Sequence, residues 1–252
     1  MKITKMTTYA LSIPMPVREV FGKPGVKGRA NPVIVELKTD SGIDAFGLAY
    51  ALDDFQVNSL KASIDDLEEV VIGQDIWRYA ETWKDLHVAL RHTGQWGGYG
   101  INALSAIDTA FWILRAKQAE LPLSRLLGGF RDEVPAYASD VLREFSTLDE
   151  IQEEAASLVE QGFRAMKMKL GGGKAKTLDK QVERVKVVRE AIGDGIDLLV
   201  EAHWSFTPSE AIRLGHRIEC YTPYWFEDPV GLHGGGHISR GYRRPCRGFK
   251  GA

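Results

Sequence analysis

Apolar and polar residues alternate in two stretches near the start of the chain. Residues 2–14 alternate loosely, which predicts a strand. Residues 33–38 and 43–50 contain apolar runs on either side of the turn sequence TDSG, a pattern typical of a β-hairpin. The chain is therefore expected to begin with β-structure.

Helical spacing replaces this alternation from residue 60 onward, where apolar positions recur every three or four residues. The spacing predicts helices over residues 60–71 and 77–90, and a third helix that ends before Pro122. The third helix has the clearest apolar face, which consists of Leu104, Ile107, Phe111 and Leu114. We therefore interpret residues 1–125 as a small α+β domain.

The pattern changes after Glu133, where strand-like and helix-like segments alternate. Four short apolar stretches predict strands at residues 134–138, 165–170, 196–201 and 224–226. Three helical patterns separate them, at residues 146–161, 178–192 and 207–219. Capping boxes that start at Ser146 and Thr207 open the first and third of these helices. This alternation predicts parallel strands with crossover helices, hence about four βα units.

Composition and charge narrow the class of protein. The 252 residues are 44% hydrophobic and 26% charged, as in globular proteins, and no apolar run is long enough for a membrane span or a signal peptide. We therefore expect a cytoplasmic protein with no membrane partner. The net charge of −2 combines +5 over residues 230–252 with −7 over the first 229 residues, and this mildly acidic body argues against a nucleic-acid partner. The basic segment at residues 230–252 is rich in glycine and arginine and is interpreted as an atypical, disordered tail.

A basic loop separates the first strand from the hairpin. Residues 14–32 are rich in proline and glycine, with four basic side chains and one acidic one. A loop of this length is usually functional or disordered. It is either a solvated surface loop or a mobile lid over an anionic ligand.

Two lysines share one face of the strand over residues 165–170. Strand alternation directs Lys167 and Lys169 to the face opposite Met166 and Met168. Desolvation and the neighbouring like charge should lower the pKa of both lysines, which would make either of them a usable general base. Alternatively, they are lysines at the end of an exposed strand whose ammonium groups reach solvent.

Acidic side chains end the next two predicted strands. Glu201 and His203 project to the same side at the end of one strand, and Glu227 and Asp228 end the other. Because the carboxyl ends of adjacent parallel strands converge where α/β folds keep their active sites, these groups should meet the lysines. Two carboxylates with room for water suit Mg²⁺. For Glu227 and Asp228 alone, helix capping is an equal alternative.

Together these motifs resemble the enolase superfamily, in its mandelate racemase and muconate lactonizing enzyme subgroup. They are the KMK sequence at residues 167–169, the acid at Glu201 and the WFEDP sequence at residues 225–229. SAIDTAFW at residues 105–112 and LPLSRLLGG at residues 121–129 are similar to the subgroup's linker between its two domains. The resemblance covers residues 1–229.

The resemblance implies a fold, a reaction and roles for particular residues. The fold would be an α+β capping domain over residues 1–125, followed by part of an α/β barrel of the TIM type over residues 126–229. Members abstract the proton α to a carboxylate with the help of Mg²⁺. By position, Lys169 would be the acid/base and Lys167 its electrostatic neighbour. Two metal ligands would be Glu201 and Glu227, and the substrate would be a small anion.

Two departures from the family pattern shape the functional expectation. The first metal position usually carries Asp followed two residues later by Asn, whereas this chain has Glu201 and His203. A histidine there resembles members that dehydrate acid sugars, in which it acts as a general acid, although it is otherwise a polar residue at the barrel rim. Nothing after Pro229 supplies the third metal ligand or the base on the opposite face.

These departures leave alternatives open. The chain is either a dehydratase or racemase of acid sugars or hydroxy acids, or a catalytically incompetent fragment that is truncated at its C-terminus. A whole eight-stranded barrel needs about 250 residues by itself. Because an open parallel sheet edge seeks a partner, a homo-oligomer in which two half-barrels complete each other is expected as well.

Overall fold

The structure is a computed structural model that describes residues 1–14, 29–51, 54–95, 97–172 and 177–231. These residues form two compact units, with the division between Asp132 and Glu133. None of the helices among them is both long enough and apolar enough to cross a membrane. Most of the predicted lid and of the predicted tail, at residues 15–28 and 232–252, lies outside the described residues.

The first unit contains an antiparallel sheet. Its strands are β1 (Ile3–Ala10), β2 (Ile13–Pro14), β3 (Arg29–Thr39) and β4 (Asp44–Ala51). The central strand is β3, which pairs with each of the other three. The predicted hairpin is confirmed, because Val33 of β3 lies opposite Ala49 of β4. The hairpin begins earlier than predicted, since the last four residues of the predicted loop belong to β3.

Helices cover one face of this sheet. They are α1 (Val57–Asp65), α2 (Glu68–Val71), α3 (Tyr79–His92), α4 (Tyr99–Gln118) and α5 (Leu123–Leu126). The helix predicted over residues 60–71 is therefore interrupted between α1 and α2. Buried apolar side chains of β1, β3, β4 and the first four helices form one continuous core.

Helix α4 approaches β4 closely at Gly47. A Cβ atom at this position would lie 1.7 Å from the carbonyl oxygen of Ala106, so only glycine fits. Ala45 and Ala49 on either side of it are also small and buried. The small residues of β4 therefore allow the longest helix of the unit to pack directly on the sheet.

The second unit has alternating helices and parallel strands. They are α6 (Leu148–Glu160), β5 (Ala165–Lys169), α7 (Leu178–Ile192), β6 (Asp197–Glu201), α8 (Pro208–Ile218) and β7 (Trp225–Glu227). The sheet order is β5-β6-β7 and both pairings are parallel, as the sequence pattern predicted. Met166, Met168 and Val200 are fully buried in the core between the sheet and the helices.

The strand predicted over residues 134–138 is reduced to a single bridge. Only Ala138 pairs with the sheet, opposite Met166, so the described residues contain three parallel strands rather than the four we predicted. Two features of the chain explain this. Pro135 has no N–H to donate to a ladder, and Asp140 has a left-handed backbone with φ of 62°, which ends any extended conformation.

The first capping box lies one residue later than predicted. The side chain of Thr147, not Ser146, caps α6 by accepting a hydrogen bond from the backbone N–H of Glu150, and the Glu150 carboxylate accepts one from the N–H of Thr147. Two overlapping capping patterns are present in the sequence, one from Ser146 to Asp149 and one from Thr147 to Glu150. The structure uses the second, which ends in the glutamate that a capping box prefers. The box at Thr207 is confirmed, with Pro208 in the first turn of α8.

Arg189 of α7 fixes the turn that leads into β7. Its guanidinium is buried and donates hydrogen bonds to the carbonyl oxygens of Gly193, Ile196, Tyr221 and Thr222 at 2.7 to 3.2 Å. Because one rigid group ties the end of α7 to the residues before β7, the strand starts at a defined height on the sheet. This determines where Glu227, at its end, is placed.

Candidate active site

Charged side chains collect at the carboxyl ends of the three parallel strands. The strand pairing places Lys169 of β5 opposite Glu201 of β6, and Glu201 opposite Glu227 of β7. Neighbouring parallel strands lie about 4.8 Å apart. The side chains from three separate segments of the chain are therefore within reach of one another, as the sequence predicted.

Lys167 occupies the centre of this cluster. Its Nζ lies 3.1 Å from Oε2 of Glu201 and 3.1 and 3.2 Å from the two carboxylate oxygens of Glu227. The side chains of Lys167 and Glu201 are each only 10% exposed. The ring of Tyr137 covers the ammonium from 5.8 Å. One cation is thus surrounded by two carboxylates in a largely buried position.

This arrangement contradicts our expectation that the pKa of Lys167 is lowered. Burial does act to lower it, but hydrogen bonds and charge from Glu201 and Glu227 outweigh burial and raise the pKa of Lys167 above its ordinary value. For Glu201, burial acts to raise the pKa, but the hydrogen bond from Lys167 and the charges of Lys169 and Lys167 hold it below its ordinary value. At neutral pH both groups are charged.

Lys169 has a different partner. Its Nζ lies 3.7 Å from Oδ1 of Asp140, and its side chain is 24% exposed. Arg143 contacts the other carboxylate oxygen of Asp140 in a close ion pair. The two lysines of the KMK sequence are thus paired with different acids, Lys167 tightly and Lys169 loosely.

His203 lies at the rim of the cluster. Its Nδ1 is 3.3 Å from Oε1 of Glu201, and its side chain is 53% exposed. The imidazole ring stacks on Trp204 with 5.0 Å between ring centroids. The prediction that Glu201 and His203 project to the same side is consistent with this contact, and the exposed ring is accessible to a ligand.

The backbone after the strands is strained in the same region. Left-handed φ values occur at Asp140 and Leu142, at His203 and Trp204 after β6, and at Asp228 after β7. Five of the seven non-glycine residues with positive φ among the described residues therefore lie beside the charged cluster. Such strain is typical of functional sites, where it directs side chains into positions that regular structure would not give.

The donor chemistry of the two glutamates fits a magnesium ion. Carboxylate oxygens are the protein ligands that Mg²⁺ takes, and Glu201 and Glu227 already converge on one cation, the Lys167 ammonium. Within the described part of the chain, no group of three or more His, Cys, Asp or Glu side chains could hold a metal ion. The described residues thus bring together two carboxylates of the kind that could hold such an ion.

Sequence reasoning missed Asp140 and Arg143. All five predicted residues, Lys167, Lys169, Glu201, His203 and Glu227, lie in the cluster or at its rim. Asp140 follows the predicted strand over residues 134–138 in the way that Glu201 and Glu227 end theirs. The same rule of strand-end acids, applied to the first strand, would have identified it.

Comparison with known proteins identifies the family. The family model described as "Mandelate racemase / muconate lactonizing enzyme, N-terminal domain" matches residues 7–128, and the model described as "Enolase C-terminal domain-like" matches residues 150–240. The chain belongs to the enolase superfamily, in its mandelate racemase and muconate lactonizing enzyme group. The second match extends past Pro229, where we ended the resemblance.

Its relatives include enzymes that act on acid sugars. D-galactarolactone cycloisomerase of Agrobacterium fabrum is 33% identical over 234 residues, which are 91% of this chain and 59% of that protein. Arabinonate dehydratase of Saccharolobus solfataricus is 30% identical over 202 residues, which are 79% of this chain and 52% of that protein. A racemase from Streptomyces coelicolor, crystallised with bound magnesium, is 27% identical with a TM-score of 0.79, covering 94% of this chain and 66% of that one.

The fold of these relatives is a capping domain followed by a barrel, and the chain matches both parts. It spans between about half and two thirds of their length. The number of barrel units in the whole protein is therefore not defined by this chain.

Proposed function

We propose that this protein abstracts the proton α to the carboxylate of an acid sugar or hydroxy acid in a Mg²⁺-dependent reaction, and that it is a dehydratase rather than a racemase. The observation that carries the proposal is the convergence of Lys167, Lys169, Glu201 and Glu227 at the ends of adjacent parallel strands. Its relatives include a cycloisomerase, a dehydratase and a racemase, and this supports the same lineage.

In this proposal Lys169 is the acid/base that removes the α-proton. It is the freer of the two lysines, because its one ion pair among the described residues is the 3.7 Å contact with Asp140, and its charge acts on Glu201 from beyond ion-pair distance. A base must reach the substrate carbon, and this side chain is partly exposed while that of Lys167 is largely buried. Lys167 stays protonated and acts as a fixed positive charge beside the reacting centre.

Glu201 and Glu227 would hold the magnesium ion. When bound, the ion supplies positive charge that stabilises the enediolate formed on proton loss. The lowered pKa of Glu201 keeps this carboxylate ionised and ready to accept a cation.

His203 is the proposed general acid for the departing hydroxyl group. Its ring is exposed at the rim, and its Nδ1 contacts the Glu201 carboxylate, which only accepts. In the imidazolium form Nε2 also carries a proton, and this is the proton that would pass to the departing hydroxyl group. A racemase would not need this step. The histidine is therefore the feature that favours a dehydratase.

A second candidate is that this chain is a catalytically incompetent fragment. Glu201 and Glu227 are two metal ligands where the family uses three, and the described residues contain no larger group. The chain also spans only part of its relatives. On this alternative the cluster at the strand ends would be present without a base on the opposite face.

The test is exchange of the α-proton in D₂O with Mg²⁺ and a panel of acid sugars and hydroxy acids. We expect deuterium at the α-carbon or formation of a 2-keto acid, abolished by Lys169→Ala. Lys186→Ala is the matched control, since Lys186 is an exposed lysine paired with Glu190 on α7. Turnover that depends on Lys169 would refute the fragment alternative, and no exchange by the full-length protein would refute the proposed function.

The remaining predictions concern partners and location. A small anionic substrate fits the positive charges of Lys167 and Lys169, and two relatives are named for acid-sugar chemistry. The homo-oligomer and the cytoplasmic location stay predictions.

A further inference from the structure

Asp140 links the proposed base, Lys169, to the loop that follows the bridge at Ala138. Its Oδ1 lies 3.7 Å from Nζ of Lys169, and its Oδ2 accepts a hydrogen bond from the Arg143 guanidinium. We propose that Asp140, held by Arg143, is a positioning residue that fixes the ammonium of Lys169 at the site. The proposal rests on the proposed function only in calling Lys169 the base.

The placement of Asp140 is imposed by its own loop. Asp140 and Leu142 both have left-handed backbone conformations, with φ of 62° and 49°. Side chains other than glycine rarely adopt this conformation unless the surroundings enforce it. Arg143 contributes by donating from Nε to the backbone oxygen of Asp140 at 3.3 Å, so it holds both the main chain and the carboxylate of this residue.

The loop is anchored from two helices. From α7, the guanidinium of Arg184 is 4% exposed and donates hydrogen bonds to the carbonyl oxygens of Ser146, at 2.6 Å, and Arg143. From α6, the carboxylate of Glu154 accepts a hydrogen bond from the backbone N–H of Leu142 at 2.9 Å. The Asp140 carboxylate thus sits on a segment held by groups that have nothing to do with the charged cluster.

The same segment is tied to the strand that carries the base. The backbone N–H of Lys169 donates to the carbonyl oxygen of Leu142 at 3.1 Å. The main chain of Lys169 and the carboxylate that meets its ammonium are therefore held by one short loop. A lysine side chain has four rotatable bonds, so its ammonium can occupy many positions relative to the backbone. The contact with Asp140 restricts the ammonium of Lys169 to fewer of them.

The separate pairing of the two lysines explains why Lys169 needs an acid of its own, Asp140. Lys167 is enclosed by Glu201 and Glu227 at 3.1 to 3.2 Å, whereas the charge of Lys169 acts on Glu201 without a close contact between the two side chains. Asp140 is 49% exposed, and its contact with Lys169 is loose. An exposed ion pair of this kind is weak, so it biases the position of the ammonium and still releases it when a substrate arrives.

The test measures the accessibility of Lys169 directly, without relying on turnover. Lysines are labelled by reductive methylation, and the rate at Lys169 is divided by the rate at Lys186, whose partner Glu190 is also 3.7 Å away. We expect Asp140→Asn to raise this ratio at least about threefold, the scale of one exposed ion pair. Arg143→Gln should raise it as well, because Asp140 then loses the group that holds it.

The matched control is Asp179→Asn, which removes a carboxylate from an exposed ion pair with Arg217. This variant should leave the ratio unchanged. An unchanged ratio in Asp140→Asn, or an equal rise in Asp179→Asn, would overturn the proposal.

Where the parent protein exchanges the α-proton, Asp140→Asn should lower kcat at least about tenfold and change KM less than about threefold. A raised ratio with no exchange by the parent contradicts the proposed function and supports the positioning role.

Discussion

At the scale of single residues, the ammonium of Lys167 organises the candidate site. Without it, Glu201 and Glu227 would face each other as two like charges at adjacent strand ends. Strand alternation in the sequence correctly places Lys167 opposite the buried methionines. It cannot show which acids lie across the sheet, because that depends on pairing between distant segments. This is why the expected direction of the Lys167 pKa was wrong.

The ion cluster predicts a particular pH dependence of stability. The lowered pKa of Glu201 means that its contribution is full above the ordinary value of 4.5 and is lost as the pH falls through the folded-state pKa. The raised pKa of Lys167 means that its contribution is full below 10.5 and is lost as the pH rises through the folded-state pKa. Both contributions are therefore present between about pH 5 and 10.

We predict that Lys167→Met lowers the free energy of unfolding by about 3 kcal/mol at pH 7, because it leaves two carboxylates without their cation. The difference from the parent protein should shrink as the pH falls through the ordinary value of 4.5, because Glu201 becomes protonated in the variant, which lacks the cation that lowers its pKa. Denaturant unfolding across this pH range measures both effects. Lys186→Met is the control and should show a small loss. A loss in Lys167→Met that stays constant with pH would contradict this assignment.

At the scale of elements, helices and their caps are easier to predict from the sequence than short strands are. The helix over residues 178–192 has the predicted bounds, and the Thr207 box lies where the sequence places it, because both depend on local signals. The strand over residues 134–138 is local in appearance but depends on ladder partners, and Pro135 removes one donor. Asp140, which follows it, is within reach of the strand-end rule, but its contact with Lys169 depends on the non-local packing of the two segments.

The choice between two overlapping capping boxes gives an element-scale prediction. Thr147→Ala removes the side chain that caps α6 and should lower the free energy of unfolding by about 1 kcal/mol. Ser146→Ala is the matched control. The oxygen that Ser146 offers to Arg184 belongs to the backbone, so this substitution should have a smaller effect. Urea unfolding of both variants decides the matter, and a larger loss in Ser146→Ala would contradict the cap assignment.

At the scale of the whole molecule, the chain combines a capping unit with the first part of a barrel. The sequence alone predicts this organisation, because the change from α+β patterning to alternating strands and helices is visible near Glu133. It also predicts which strand ends bring charged side chains together. Longer-range features, such as the buried Arg189 that sets the start of β7, have no signature in the sequence.

The proposed function requires Glu201 and Glu227 to hold a magnesium ion at this edge of the sheet. The most direct test is the thermal unfolding midpoint of the parent protein, Glu201→Gln, Glu227→Gln and the control Glu190→Gln as Mg²⁺ is added. Binding to the folded state should stabilise the parent and the control by about 2.7 kcal/mol at one hundred times the Kd. Both site variants should lose this stabilisation. A shift that persists in both site variants, or no shift in the parent at any Mg²⁺ concentration, would contradict the claim.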